Sequence, residues 1–417
     1  MLDDKQKYVV ERVNEGDNFC LLGQGGTGKS RTLNHVVDNK TIKCAPTGIA
    51  ALNIGGITAH KLFGLPVGPV KDEDYFSISK TGERLFSGTE AYKVILDEAA
   101  MLRADFLDMI DSKLRNLRRN NLPFGGIQMV LSGDFYQLEP IVDKQNRRSF
   151  YKKYNSPFCF ESDSWCFDVE ELTTVYRQNN PEQVELLDHI RRKSRYAEEC
   201  LEELYKNSSE YNPTETTLHL CCYKTDAEKI NRKWYNKIKG QERTYLSVSD
   251  GKEWNESEKI VPDILKLKVG CRVLIKANHK EGEYVNGDKG TIVDLSPIGV
   301  VVRLDNGKEV FVEPYKWDKF NYENKNGKLE KVIESSYTQI PLLLGYGVSI
   351  HNIQGMTLTD AAIDFGAGCF SHGQAYVALS RITDLNNLSF VNEPSIEDII
   401  VNREVDRFYK RLRRGQL

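Results

Sequence analysis

The stretch FCLLGQGGTGKSRT carries Gly23-x-x-x-x-Gly28-Lys29-Ser30 directly after an apolar run and before a helix-forming one. That order is the context a phosphate-cradling loop requires. Gly25, Gly26, Thr27 and Gly28 can aim backbone N–H groups at β- and γ-phosphates from a helix N-terminus, while Lys29 adds charge and the Ser30 hydroxyl suits Mg²⁺. The plain alternative is a decorative Gly-rich turn. Further on, VILDEAAML ends an apolar strand on Asp97 and Glu98. Two adjacent carboxylates there are costly unless a cation meets them. Asp97 suits the metal, and Glu98 suits a base that deprotonates an attacking water; a solvated strand end is the bland reading.

LSGDFYQLEP places Gln137 past another apolar strand, where it reads equally as a γ-phosphate contact or as part of a polar turn. Arg177 in VYRQ and Arg381 in YVALSRIT sit at element ends. Singly each reads as a surface salt bridge. Beside a phosphate loop both become candidates for cations reaching across a cleft to the oxygens of a transferring phosphoryl group.

The elements that must position these residues follow an α/β rhythm. Apolar runs FCLL (19–22), IKCA (42–45), VILD (94–97) and MVLS (129–132) each end in a Gly-rich or polar turn leading to a helical segment. This predicts a doubly wound parallel sheet over residues 1–170, with functional loops at its carboxyl edge. A Gly-, Pro- and charge-rich stretch, about 64–90, reads as a small surface insertion or a solvated loop. A second lobe is expected over 171–245 and 336–417, split by a β-rich block at 246–335 whose Gly-separated segments (CRVLIKA, KGTIVDLS, GVVVRLDNG, KEVFVEP) suggest a small barrel.

With 417 residues, 40% hydrophobic and 28% charged, the composition is that of an ordinary globular protein. The 57 basic and 60 acidic side chains leave a net charge of −3, so any polyanion site must be a local basic surface. The nine cysteines form no C-x-x-C pair and are expected to be reduced thiols without structural zinc. Neither a leader pattern nor an apolar run long enough for a membrane span is evident, which predicts an intracellular, soluble protein.

Taken in order, GQGGTGKS, APTGIAALNIGGITAH, VILDEAAML, PFGGIQMVLSGDFYQLEP, VYRQ, VNGDKG, SIHNIQGMT and GQAYVALSR resemble the Pif-type, RecD-related branch of superfamily-one DNA helicases over nearly the whole chain. The resemblance implies two RecA-like lobes, with a wedge insertion in the first and a β-barrel insertion in the second. It also implies an ATP- and Mg²⁺-dependent monomeric motor moving 5′ to 3′ on single-stranded DNA, and a part in DNA replication, repair or recombination. Its partners would be single strands, DNA junctions or structured DNA, with no membrane. Residue by residue, Gln6 resembles an adenine-reading glutamine, and Thr47, Gly48 and His60 resemble first-lobe DNA contacts. His351 resembles a second-lobe DNA contact, and Gln354 and Gly355 lie where the family couples DNA to the nucleotide. A buried structural histidine is the alternative for His60 and His351.

Three departures stand out. Asn352-Ile353 replace the family's usual Lys-Ser, which removes a cation and predicts weaker DNA affinity or coupling. Ala100 replaces a hydroxyl residue after the acidic pair. Long terminal extensions are missing, so the chain reads as a nearly bare motor. Basic runs at 113–119, 190–195 and 408–414 predict a cationic track, with Phe63 or Phe135 meeting bases, although such runs also read as solvated helix faces. Two other readings stay open: a translocase that remodels nucleic acid or protein without strong unwinding, and a nucleotide-gated single-strand binding module.

Overall fold

The computed structural model describes residues 2–66, 68, 70–88, 91–178, 180–325 and 328–416. Two compact units emerge, the first comprising 1–176, 318–335 and 402–417, the second 177–317 and 336–401. In the first, β1 (Phe19–Gly23), β2 (Thr41–Ala45), β3 (Ile57–Thr58), β4 (Lys93–Leu96), β5 (Gln128–Gly133) and β6 (Asp168–Leu172) form one sheet in the order β3-β2-β4-β5-β1-β6. Every pairing in it is parallel. The three central strands β4, β5 and β1 are buried along their whole length, which is why their sequences are continuous apolar runs without alternation.

The second unit starts with β7 (His219–Cys221) and continues through β8 (Glu242–Leu246), β9 (Val248–Gly251), β10 (Ile264–Lys268), β11 (Arg272–Ile275), β12 (Lys289–Ser296), β13 (Gly299–Leu304) and β14 (Glu309–Val312). In chain order there follow β15 (Tyr315–Lys325) and β16 (Lys328–Gln339), most of which belongs to the first unit, and then, in the second, β17 (Leu342–Leu344), β18 (Gly347–Ser349), β19 (Ala361–Asp364) and β20 (Leu388–Phe390). A parallel sheet β18-β7-β19-β20 forms its α/β part. The β-rich block builds an antiparallel sheet β14-β13-β12-β11-β17 with the pair β10-β8 beside it in sequence. Its core is aliphatic, with Leu267, Val273, Ile275, Val300 and Val302 fully buried.

Two segments depart from the sequence expectation. The C-terminal helix Arg403–Arg413, expected with the second lobe, groups with the first unit: Phe408 packs on Phe135 (5.4 Å) and Phe160 (4.6 Å), and Tyr409 stacks on Tyr136 (4.6 Å). Residues 318–335, which hold most of the neighbouring strands β15 and β16, also group with the first unit rather than with the β-rich block. There Lys61 pairs with Glu334 at 2.6 Å and Arg84 donates to the Tyr322 carbonyl at 2.6 Å. The stretch at 64–90, of which 67, 69, 89 and 90 lie outside the described residues, contains the helix Lys80–Phe86. Its Phe86 is fully buried and stacked on Phe63 at 5.9 Å, so this segment is anchored in the core and is more than a solvated loop. Among the described residues no helix is long and apolar enough to cross a membrane.

Candidate functional site

The phosphate loop runs from the end of β1 into the helix Lys29–Leu33. Gly28 has φ +83°, which favours glycine, and a Cβ there would lie 2.7 Å from Gln6 Nε2, so that any other residue would also push the end of the Gln6 side chain aside. Gln6 is held in a reciprocal cap of the helix Asp4–Asn14: its backbone N–H donates to Asp3 Oδ1 (2.7 Å), and Asp3 N–H donates to Gln6 Oε1 (3.1 Å). The remaining donor of Gln6, Nε2, reaches the Thr27 carbonyl at 3.3 Å. The Lys29 ammonium donates to the Gly23 carbonyl (2.7 Å) and the Gln24 carbonyl (3.2 Å), and Ser30 is exposed. The Thr27 hydroxyl closes the loop on the Gln24 carbonyl at 2.9 Å.

Sheet order brings the other chemistry alongside. Leu22 registers with Gly133 and Leu96 with Leu131, so the carboxyl ends of β1, β5 and β4 lie side by side. The loop after β1 and the acidic pair after β4 therefore leave the same edge of the sheet two strands apart, a lateral offset of about 10 Å at roughly 4.8 Å per strand. Asp97 and Glu98 are half-buried. Glu98 adopts the left-handed conformation (φ 54°, ψ 43°), and its N–H donates to Asp97 Oδ1 at 3.0 Å. Such a backbone costs a non-glycine residue about 1–2 kcal/mol. The turn after β5 closes through Gln137 N–H to the Asp134 carbonyl at 2.9 Å, which leaves Gln137 buried beside the acidic pair's strand. Gly133 is where the two turns meet: a Cβ would lie 3.2 Å from both the Ala99 and Ala100 nitrogens. The same crowding suits the fully buried methyl of Ala100.

The first-unit DNA candidates also gather in one place. The Thr47 hydroxyl caps the helix Gly48–Asn53 by accepting from Ala50 N–H at 3.2 Å, so one of its lone pairs is spent and Gly48 is the first helical residue. His60 is half-buried, edge-on to Phe106 at 5.3 Å. Burial lowers its pKa despite a hydrogen bond to the Pro46 carbonyl, and Arg103 lowers it further. The ring is therefore neutral near pH 7 and tied to the Pro46–Gly48 turn.

In the second unit the Arg177 guanidinium lies 3.5 Å from the Ser380 carbonyl, and burial lowers its pKa. Arg381 is 2% exposed and donates to the Val377 carbonyl (3.1 Å) and Ser380 Oγ (2.8 Å), so both arginines converge on the end of the helix Gln374–Leu379. His351 is exposed on the 3₁₀ turn Ile350–Ile353, where partial desolvation lowers its pKa. Gly355 follows with φ +81°. Ile353, one of the family departures, is fully buried, so it fills core where a serine would have been polar.

Several expectations are corrected. Phe63 and Phe135 are both fully buried and cannot meet bases, because each fills an aromatic cluster of the first unit's core. Parts of two basic runs are spent internally: Lys113 is 1% exposed and donates to the Phe63 and Gly64 carbonyls, Arg118 donates to those of Phe86 and Gly88, and Arg191 and Arg192 pair with Asp188, whereas Lys410, Arg411, Arg413 and Arg414 of the third run are exposed. Sequence reasoning also missed Tyr176. Its N–H donates to the Gly26 carbonyl (2.9 Å) and its hydroxyl to Asp3 (2.5 Å), which leaves a half-exposed ring beside Gly28. The only signal was its place next to Arg177.

The sequence model of the PIF1-like helicase family matches residues 1–196. The ATP-dependent DNA helicase PIF1 of Danio rerio is 32% identical over 430 residues, covering 100% of this chain and 65% of the relative. The chain thus spans about two-thirds of that relative's length. Among solved structures, Bacteroides sp Pif1 in complex with ADP-AlF4 superposes with a TM-score of 0.90 at 32% identity, covering 100% of this chain and 98% of that one. Bacteroides Pif1 bound to ssDNA is similar at a TM-score of 0.70 and 32% identity, covering 100% and 98%.

Proposed function

Because the chain belongs to the PIF1-like helicase family, we propose that it is a monomeric ATP-driven motor that moves 5′ to 3′ along single-stranded DNA and separates duplex or structured DNA ahead of it. The observation that carries this reading is the row of three loops on adjacent strands β1, β5 and β4, holding the phosphate loop, Gln137 and the Asp97–Glu98 pair. Water attacks the γ-phosphorus, its proton passes to the Glu98 carboxylate, and the bond from that phosphorus to the ADP oxygen breaks. Lys29 would leave the loop carbonyls for the β- and γ-oxygens, and Gln137 would orient the water.

Arg177 and Arg381 are the guanidinium candidates for the developing charge. Ser30 and Asp97 offer the oxygen donors that suit Mg²⁺, and no group of three or more acidic, His or Cys ligands exists among the described residues, which fits a metal carried mainly by the nucleotide phosphates. When bound, that ion would neutralise charge between β- and γ-phosphates. The Bacteroides relatives hold ADP-AlF4 in one structure and ssDNA in another, which supports both halves of the reading.

Steady-state ATPase with and without oligo(dT), followed by unwinding of a fork with either a 5′ or a 3′ tail, tests it. Strand-stimulated turnover with unwinding only from the 5′ tail is expected. Stimulated turnover without strand separation would favour a remodelling translocase, and strand binding without turnover a gated binding module.

A further inference from the structure

Three loops of the second unit leave the carboxyl ends of neighbouring strands β7, β18 and β19, the edge at which open α/β sheets take their ligands. On them sit three rings in a row. Tyr223 lies 4.9 Å from Phe370, and Phe370 lies nearly parallel to His351 at 6.4 Å. Phe370 is 54% exposed, so one of its faces is open to solvent. Its backbone is nonetheless fixed. The fully buried Gln374 accepts from Phe370 N–H at 3.1 Å through Oε1 and donates to the Cys222 carbonyl at 3.0 Å through Nε2, so one amide holds the segments bearing both aromatic residues.

Beside this shelf stands a cation. Lys276, the residue after β11, donates to the Asn352 carbonyl at 3.1 Å and lies 3.0 Å from Met356 Sδ. Asn352 follows His351 directly. Desolvation lowers the Lys276 pKa to about 8. Two of its three donors go to a carbonyl and a weakly accepting thioether, an arrangement that leaves the charge poorly compensated until an anion arrives. The neighbouring turn carries VNGDKG, a motif with no part in the nucleotide site: Gly287 has φ +108°, a Cβ there would be 2.5 Å from the Thr357 carbonyl, and Asn286 Oδ1 is buried without a partner.

We propose that Lys276 and Phe370 extend the strand contact for which His351 is already the candidate, the Lys276 ammonium taking a backbone phosphate and the exposed Phe370 face taking a base. The inference rests on the motor reading above and adds residues that reading does not use. A cation next to a flat aromatic surface is what sequence-tolerant strand binding requires, because every base has a face and every linkage a charge. It also gives the −3 chain a specific positive contact where Asn352 supplies none.

Fluorescence anisotropy of labelled oligo(dT) with the full chain, from about 50 to 200 mM salt, tests the patch. Lys276→Met should weaken binding about ten-fold and lower the log–log salt slope by about 0.7, the share of one single-strand phosphate contact; Lys276→Arg should restore both. Phe370→Ala should weaken binding by about 5- to 100-fold with the slope unchanged, and Phe370→Tyr should recover it. A Lys276→Met chain with a lower melting temperature but an unchanged slope would make Lys276 a structural tie and overturn the proposal. Should that variant not fold, Lys276→Gln and the surface change Phe370→Ala carry the test, and unchanged affinity in either refutes it. Failure of the wild-type chain to bind oligo(dT) at all would instead remove the motor reading.

Discussion

Glu98 joins two effects that one substitution series can pull apart. Its carboxylate ends β4 beside the phosphate loop, while its backbone stands at φ 54°, ψ 43°, where a side chain is crowded by its own carbonyl. Removing the base with Glu98→Gln keeps size, backbone and polarity. Loss of general-base catalysis is worth about 10²- to 10⁴-fold in turnover, or roughly 3–5 kcal/mol of barrier, with ATP affinity retained. Glu98→Ala removes the base and keeps the strain, since alanine pays the same left-handed penalty. Glu98→Gly removes both. The strain relief of about 1–2 kcal/mol is partly offset by about 0.5–1 kcal/mol of glycine backbone entropy, so the glycine variant should exceed the alanine one in stability by up to about 1.5 kcal/mol.

All three variants should be nearly inactive in single-turnover hydrolysis at saturating ATP, while urea unfolding ranks glycine above alanine. That pattern would identify strain kept for function. Near-normal hydrolysis by Glu98→Gln would refute the base assignment, and a glycine variant less stable than the alanine one would refute the strain argument.

Three further outcomes follow from the same geometry. Gly28→Ala should lower ATP affinity and melting temperature together, because a Cβ 2.7 Å from Gln6 Nε2 at φ +83° displaces the residue that ties the first helix to the loop; nucleotide titration and thermal unfolding check this. Asp108 accepts from Tyr154 (2.6 Å), Lys153 (3.0 Å), Ser164 N–H (3.0 Å) and the Ser162 hydroxyl. Although burial opposes it, these donors hold its pKa below the usual carboxylate value of 3.8, so its stabilisation is present above that value and lost as pH falls through the depressed one. Asp108→Asn should cost about 2–4 kcal/mol near pH 7 and less at pH 3, read by urea unfolding at both. For Arg381, both Arg381→Lys and Arg381→Ala should retain ATP binding and lose about 10³-fold in single-turnover hydrolysis, because an ammonium lacks the planar fork; full hydrolysis by folded Arg381→Ala would leave only its helix-end role.

The parts of the site that were legible are those in which chemistry constrains the backbone itself. A phosphate loop must pass from strand to helix through glycines, and Gly28 at φ +83° against Gln6 is that requirement made visible. The acidic pair must end a buried strand, and VILDE has no other way to be both apolar and charged. Side chains that can face either way carry no such mark. Phe63 and Phe135 lie in motif-like stretches and face the core, whereas Phe370 lies in a Gly-, Cys- and Ser-containing loop, GAGCFSHG, with no periodicity to betray its exposure. Lys113 belongs to a run that reads as a solvated helix face, yet it turns inward to two carbonyls, while the isolated Lys276 inside CRVLIKA reads as strand and stands beside the exposed His351.

Chain order misled for a related reason. The helix Arg403–Arg413 follows the last strand of the second unit and would be expected to stay with it, but Phe408 and Tyr409 complete the aromatic cluster begun by Phe135 and Tyr136, more than half the chain away. Those two residues belong to GDFYQLEP, the same segment that supplies Gln137. The buried rings, which do not meet bases, therefore have a different role: they anchor the C-terminal helix against the turn after β5, the segment that also carries Gln137. Under the proposed mechanism a residue that orients one water molecule needs a fixed backbone, and the packing at this turn comes from a contact that no local reading of the sequence contains.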